Sequence, residues 1–202
     1  MKSINLPLFV LISLLLIGCS ITKHQQKGNV HPKEFTFETP FITQKSIPIL
    51  SFNLNGVTKN FLFDTGADVS LIQREHPLGK TQNISGASKR KMKFGEEYVR
   101  SLKIGTVDFK NTFALNGDLD VLKQQIPNFG GIIGQTIINK ANWQIDFPNK
   151  KLILSNKDLS DTSFETIKFK RIAGAPFTYI TINGVEHKVI IDLGSSSEFN
   201  LP

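Results

Sequence analysis

Phe61-Leu62-Phe63-Asp64-Thr65-Gly66-Ala67-Asp68-Val69-Ser70-Leu71-Ile72 sets an acid, a small hydroxyl residue and a glycine inside what otherwise reads as buried β-structure. A carboxylate beside three large apolar residues is rarely tolerated unless it is paired or carries chemistry. Gly66 lets the backbone turn and approach a ligand closely, where a side chain would block it. The apolar runs on either side read as a strand entering this loop and a strand leaving it.

The pattern occurs twice. From Pro48 the chain reads PILSFNLNGVTKNFLFDTGADVSLI, and from Pro176 it reads PFTYITINGVEHKVIIDLGSSSEFN. A constant offset of 128 residues places Asn55-Gly56-Val57 on Asn183-Gly184-Val185, Asp64 on Asp192 and Gly66 on Gly194. In each copy an Asn-Gly pair divides two apolar runs, the strongest short hairpin signal, because both residues adopt positive φ readily. Each hairpin ends at its acid.

The run FLFDTGADVSLI resembles the active-site loop of retropepsin-like aspartic proteases, whose signature is two apolar residues, Asp, Thr or Ser, Gly, then Ala or Ser. Further along, Phe129-Gly130-Gly131-Ile132-Ile133-Gly134-Gln135 resembles the strand that passes beneath that loop in the same family. The resemblance implies a short helical turn over 135–140 and a closing hairpin from Trp143–Phe147 and Lys151–Leu154, with Pro148-Asn149 at its turn. It also implies an all-β fold, a closed β-barrel lobe with a short helix, followed by the beginning of a second similar lobe. A duplicated hairpin ending in Asp-x-Gly is what a two-lobed bacterial member would show.

In such enzymes two carboxylates share one proton and hold a water between them, with no metal and no cofactor. Like charges about 3 Å apart cannot both ionise, so one acid stays protonated. The ionised acid takes a proton from the attacking water and the other donates to the carbonyl oxygen. The resemblance makes Asp64 and Asp192 the catalytic pair, supported by Thr65, Gly66, Ala67 and Gly194. One departure stands out: Leu193 replaces the hydroxyl residue, so the brace between the two loops is expected to be lopsided. Asp68 matches a residue that contacts substrate backbone or pairs with a basic side chain, and as a loop acid it could equally satisfy local N–H groups. By position Asn83–Ser88 is the tip of the flap that closes over substrate, which makes Gly86 and Ala87 substrate-binding residues.

The ends carry separate signals. Lys2 followed by the apolar run Leu6–Ile17 has the form of a signal peptide and is too short to span a bilayer. It closes on Leu16-Ile17-Gly18-Cys19, which resembles the bacterial lipoprotein box and implies cleavage before Cys19 and acylation of that residue. Several acyl chains hold a soluble domain at a membrane. The expected location is the cell envelope, at the outer membrane or the periplasmic face. Cys19 is the single cysteine, so the exported domain relies on its β core rather than on disulfides.

Net charge is +7, concentrated at Lys89-Arg90-Lys91 and Lys93. With only Phe94 beside it, this run lacks the aromatic platforms of a nucleic-acid surface. No phosphate loop, metal-ligand spacing or Gly-x-Ser-x-Gly elbow is present, and His24 and His31 have no further ligands near them. Short β runs are expected at 47–54, 57–63, 69–72, 91–94, 98–104 and 107–115, with a hairpin at Gly105-Thr106. The resulting division is 1–18 signal peptide, 19–40 polar tether, 41–155 first lobe, 156–164 linker and 165–202 the start of a second, incomplete lobe of a C-terminally truncated sequence. The implied partners are a peptide or protein substrate and a membrane, with no nucleic acid. A homodimer is the arrangement expected if the second lobe is absent. The alternative to an endopeptidase is a non-catalytic peptide-binding lipoprotein with a degenerate protease fold, motivated by Leu193.

Overall fold

The computed structural model describes residues 24, 26–85, 91–172 and 174–195. Its strands are β1 (Asn29–His31), β2 (Thr36–Pro40), β3 (Ile42–Gln44), β4 (Ile47–Leu54), β5 (Val57–Phe63), β6 (Leu71–Gln73), β7 (Thr81–Ser85), β8 (Lys91–Ile104) and β9 (Val107–Gly117). After helix α1 (Asp120–Gln125) come β10 (Phe129–Ile133), α2 (Gln135–Ile138), β11 (Asn142–Asp146) and β12 (Lys151–Ser155). The second copy of the hairpin supplies β13 (Lys170–Ile172), β14 (Ala175–Ile182) and β15 (Val185–Ile190). The fold is all-β, as the alternation of short apolar runs and turns predicts.

Pairing runs β9-β6-β10-β5-β4-β8, and β8 pairs again with β9, so the first lobe closes on itself as a barrel. Inside sit Phe52, Phe61, Phe63 and Phe109, all essentially inaccessible to solvent. Each such side chain contributes about 1.5–3 kcal/mol by leaving water. Trp143 stacks on Phe109 at 6.1 Å between ring centroids and satisfies its indole by donating to Ile138 O at 2.8 Å. This apolar interior is the stiff support on which the acid loop rests.

The Asp loop connects β5 to β6, and β10 lies between those two strands, parallel to β5 and antiparallel to β6. A strand threaded between the arms of a loop must approach both backbones closely. Gly131 meets that demand: its φ is +143°, and a side chain there would run into the Leu71 carbonyl. The glycines before Ile132 are therefore packing devices beneath the site.

The internal repeat is structural. β14 spans the residues of β4 shifted by 128, and β15 begins 128 residues after β5. Asn55 and Asn183 take φ of 50° and 52° at the two turns. The repeat also extends further than the sequence pattern showed, since β3 pairs with β4 through Ile42↔Ile49 and β13 with β14 through Lys170↔Phe177. Burial differs between the copies. Leu62 on β5 is 6% exposed, while the equivalent Ile190 is 58% exposed. The edge of β5 is covered by β10, whereas among the described residues no strand pairs with the outer edge of β15.

Several expectations need correction. The stretch 19–40 is not a tether throughout: β1 pairs with β9 and β2 with β12. Polar strands of this kind have only Val30 and Phe37 facing the core, too little apolar content to betray them. The basic run does not stop at Phe94. Gly95 sits where the Leu78 backbone crosses, and β8 continues unbroken to Ile104. Helix α1 was not expected at all. The flap region is a real hairpin, pairing Thr81↔Gly95 through Ser85↔Lys91, but Gly86 and Ala87 lie outside the described residues, as does Cys19.

One turn gives a modest test. Asn55 holds positive φ and accepts a bond from Ser101 N at 3.0 Å. Asn55→Ala should cost about 2 kcal/mol, from the left-handed backbone and the lost bond together. Thermal melting should fall by several degrees; an unchanged midpoint would contradict this account of the turn.

Candidate active site

Asp64 stands at the end of β5, where its N–H donates to Ile133 O at 2.9 Å. Its Oδ1 accepts from Gly66 N at 2.8 Å and Ala67 N at 3.0 Å. The second loop repeats the first of these bonds: Gly194 N donates to Asp192 Oδ1 at 2.8 Å. Each glycine keeps clear the space that the opposite acid occupies. A methyl group at Gly66 would sit 2.6 Å from Asp192 Cγ, and one at Gly194 would collide with the Asp64 carboxyl. Each carboxyl thus lies over the glycine of the opposite loop, close enough for the charge of Asp192 to bear on Asp64.

That arrangement shows in the titration of Asp64, which is pushed up to about 6 from the usual 3.8. Burial is the main cause, followed by the charge of Asp192 and a side-chain hydrogen bond to it; the N–H groups of Gly66 and Ala67 pull the other way. A buried acid beside a second acid is favoured in its protonated form. The proton on Asp64 is thus retained well above the ordinary carboxylate range and given up as pH climbs through about 6.

The brace between the loops is one-sided, as Leu193 foretold. Thr65 Oγ1 donates to Ile191 O at 2.6 Å and accepts from Leu193 N at 2.9 Å. A mirror-image pair would need a hydroxyl at position 193. The Leu193 side chain instead packs against the core cluster that includes Phe63 and Ile133. An apolar contact thus occupies the position of the second polar brace.

Asp68 is turned toward the second copy, accepting from Ala175 N at 3.1 Å. Burial raises its titration above the usual carboxylate range, and the Ala175 N–H opposes that rise. This N–H is not a local one: it belongs to a residue 107 positions away. Beneath the loop, Ser70 and Thr136 exchange buried hydrogen bonds, with Ser70 N donating to Thr136 Oγ1 at 3.0 Å. Gly134 N donates to Ser70 Oγ at 3.0 Å.

Sequence reasoning missed two features here. The first is Gln135, a buried amide whose Nε2 donates to Thr65 O at 2.6 Å. The sequence alone predicts only a helical turn at this position. The second is α1, which with the root of the flap hairpin frames a groove of about 700 Å³ lined by Met92, Leu119 and Leu122. Leu119, Leu122 and Ile126 recur at three- and four-residue spacing, a helical signal that was legible.

A family model described as retroviral aspartyl protease matches residues 44–146, which spans the first barrel from β4 to β11 and half of the 202 residues. Among curated proteins, none matches. Among solved structures, the chain is similar to the crystal structure of a retropepsin-like aspartic protease from Rickettsia conorii. The identity is 20% and the TM-score 0.42, with 64% of this chain and 94% of that one covered. With its Asp-Thr-Gly loop at the end of β5, β10 threaded beneath that loop and the family model spanning the barrel, this chain belongs to the retroviral aspartyl protease family.

Proposed function

We propose that this chain is an aspartic endopeptidase that hydrolyses peptide bonds with a water activated between Asp64 and Asp192. The observation that carries this reading is the confrontation of the two carboxyls, with Asp64 raised to about 6. A carbonyl placed over the pair would receive a proton from the protonated acid while the ionised one takes a proton from water. The tetrahedral product then collapses as the leaving nitrogen is protonated. No covalent enzyme intermediate is required. Both acids come from one chain in this reading, so a homodimer is not needed to complete the site. Substrates are extended peptides lying under the β7–β8 hairpin.

The pH dependence follows from the shared proton. Activity should decline as pH rises through about 6, because the pair loses the proton that it donates. An initial-rate profile on a mixed peptide substrate checks this; a rate still rising beyond pH 8 would point to a different acid.

The second element of the proposal is a lipid anchor at Cys19, supported by Leu16-Ile17-Gly18-Cys19 after an apolar run. It would hold the enzyme at the face of a bacterial envelope membrane. Mass spectrometry of the mature N-terminus should find an acylated Cys19, and Cys19→Ser should move the protein into the soluble fraction. The competing reading is a binding protein that retains the cleft without turnover, and Leu193 is the feature that favours it. Peptide affinity with no cleavage between acid and neutral pH would select that reading.

A further inference from the structure

Leu193 offers no hydroxyl to return the brace that Thr65 makes, yet the second copy reaches the first loop by another route. Arg171 on β13 donates from Nη1 to Gln135 Oε1 at 2.9 Å and to Gly174 O at 2.8 Å. Its guanidinium lies over the Phe169 ring at 5.2 Å. Gln135, 1% exposed, passes the connection on by donating to Thr65 O at 2.6 Å. An amide suits the middle position. Arginine can donate but not accept, and a carbonyl can accept but not donate, so the linking residue needs an acceptor at one end and a donor at the other. Those two partners also fix which way the amide is turned.

The Thr65 carbonyl belongs to the same planar peptide unit as the Gly66 N–H. In a trans peptide the two point in opposite directions. Holding Thr65 O on Gln135 therefore aims Gly66 N–H at Asp64 Oδ1, where it lies at 2.8 Å. The positive charge of Arg171 polarises the Gln135 amide and strengthens its donation to Thr65. Thr65 is gripped twice: by its hydroxyl from Ile191 and Leu193, and by its carbonyl from Gln135.

We infer that Gln135 and Arg171 are positioning residues for the acid pair, a relay from the second copy of the hairpin that orients the Thr65–Gly66 peptide and replaces the brace lost at Leu193. The inference rests on the aspartic protease reading for its kinetic consequence but not for its geometry. Neither residue touches the reacting atoms. Both act through the peptide unit that steadies Asp64.

The test uses the full chain with Gln135→Met, Arg171→Met and the double variant, each followed by peptide hydrolysis and by ¹³C titration of the Asp64 carboxyl. Each single change should lower kcat about tenfold or more with KM within about twofold, since misaimed catalytic groups slow the chemical step. The double variant should be no worse than the poorer single one, because the two residues serve one relay. The Asp64 midpoint should rise further, since the Gly66 N–H is one of the bonds holding it down. Multiplicative losses in the double variant, or an Asp64 midpoint that stays put or falls, would overturn the relay. If Gln135→Met does not fold, Arg171→Met, altered on the exposed β13, still decides by the same two readouts. Wild-type protein that cleaves nothing counts against the protease reading, while the carboxyl titration tests the relay regardless.

Discussion

Asp64→Asn should abolish peptide hydrolysis and, at neutral pH, make the protein more stable. Loss of a positioned acid–base group removes about 10²–10⁴ in rate, and without Asp64 no proton is shared. Folding should survive because the Asn oxygen can accept the same two bonds, from Gly66 N and Ala67 N. The stability effect follows from linkage. The folded pKa of Asp64 is raised above its ordinary 3.8 to about 6, so its favourable contribution is fully present below 3.8 and is lost as pH climbs through about 6. Above that window the wild-type protein carries a buried charge at a cost on the order of 1–3 kcal/mol. Asn never ionises. The variant should melt several degrees higher than wild type at pH 7, with the difference closing near pH 4. A variant that still cleaves, or one that is less stable than wild type at pH 7, is incompatible with a buried, paired Asp64.

The second large effect is expected at Thr65. Valine has nearly its shape but no hydroxyl, so Thr65→Val leaves Ile191 O and Leu193 N without the partner that now serves both. Stranding two part-buried backbone groups costs about 1–3 kcal/mol each. Since Leu193 offers no return bond, the loss is not made up at that position, and the acids should drift apart. A displacement on the order of 1 Å is enough for about a hundredfold loss of rate. Thr65→Ser keeps the hydroxyl and should remain within a few fold of wild type. Equal activity in the valine and serine variants would show that the brace plays no part.

Much of this architecture was legible in the chain, for reasons that can be traced to particular residues. The Asn-Gly turns fixed both hairpins, and the run up to Asp64 could be read because its strand is buried on both faces. The strand beneath the loop was visible through the resemblance of Phe129–Gln135 to the family's strand, and the structure adds that a side chain at position 131 would meet the Leu71 carbonyl. What stayed hidden depends on partners distant in sequence. β2 is a strand because β12 pairs with it through Thr36↔Ser155, and little in Thr-Phe-Glu-Thr-Pro demands that. β3 and β13 occupy equivalent places with almost unrelated residues, Ile-Thr-Gln and Lys-Arg-Ile, because neighbouring strands dictate their backbones. Gln135 was unreadable for the same reason: its function depends on Arg171 and Thr65, which are 36 and 70 residues away. Leu193 was read correctly as the loss of a hydroxyl. Its gain, a place in the apolar core of the first lobe, was not.

The account stands on the claim that one chain supplies both acids of the pair. Cleavage of a mixed peptide library by purified Asp192→Asn protein, followed by mass spectrometry beside the wild type, tests that claim most directly. The prediction is cleavage by the wild type across the acidic range and none above background by the variant. Undiminished cleavage by Asp192→Asn would contradict it, leaving Asp64 to find its partner elsewhere.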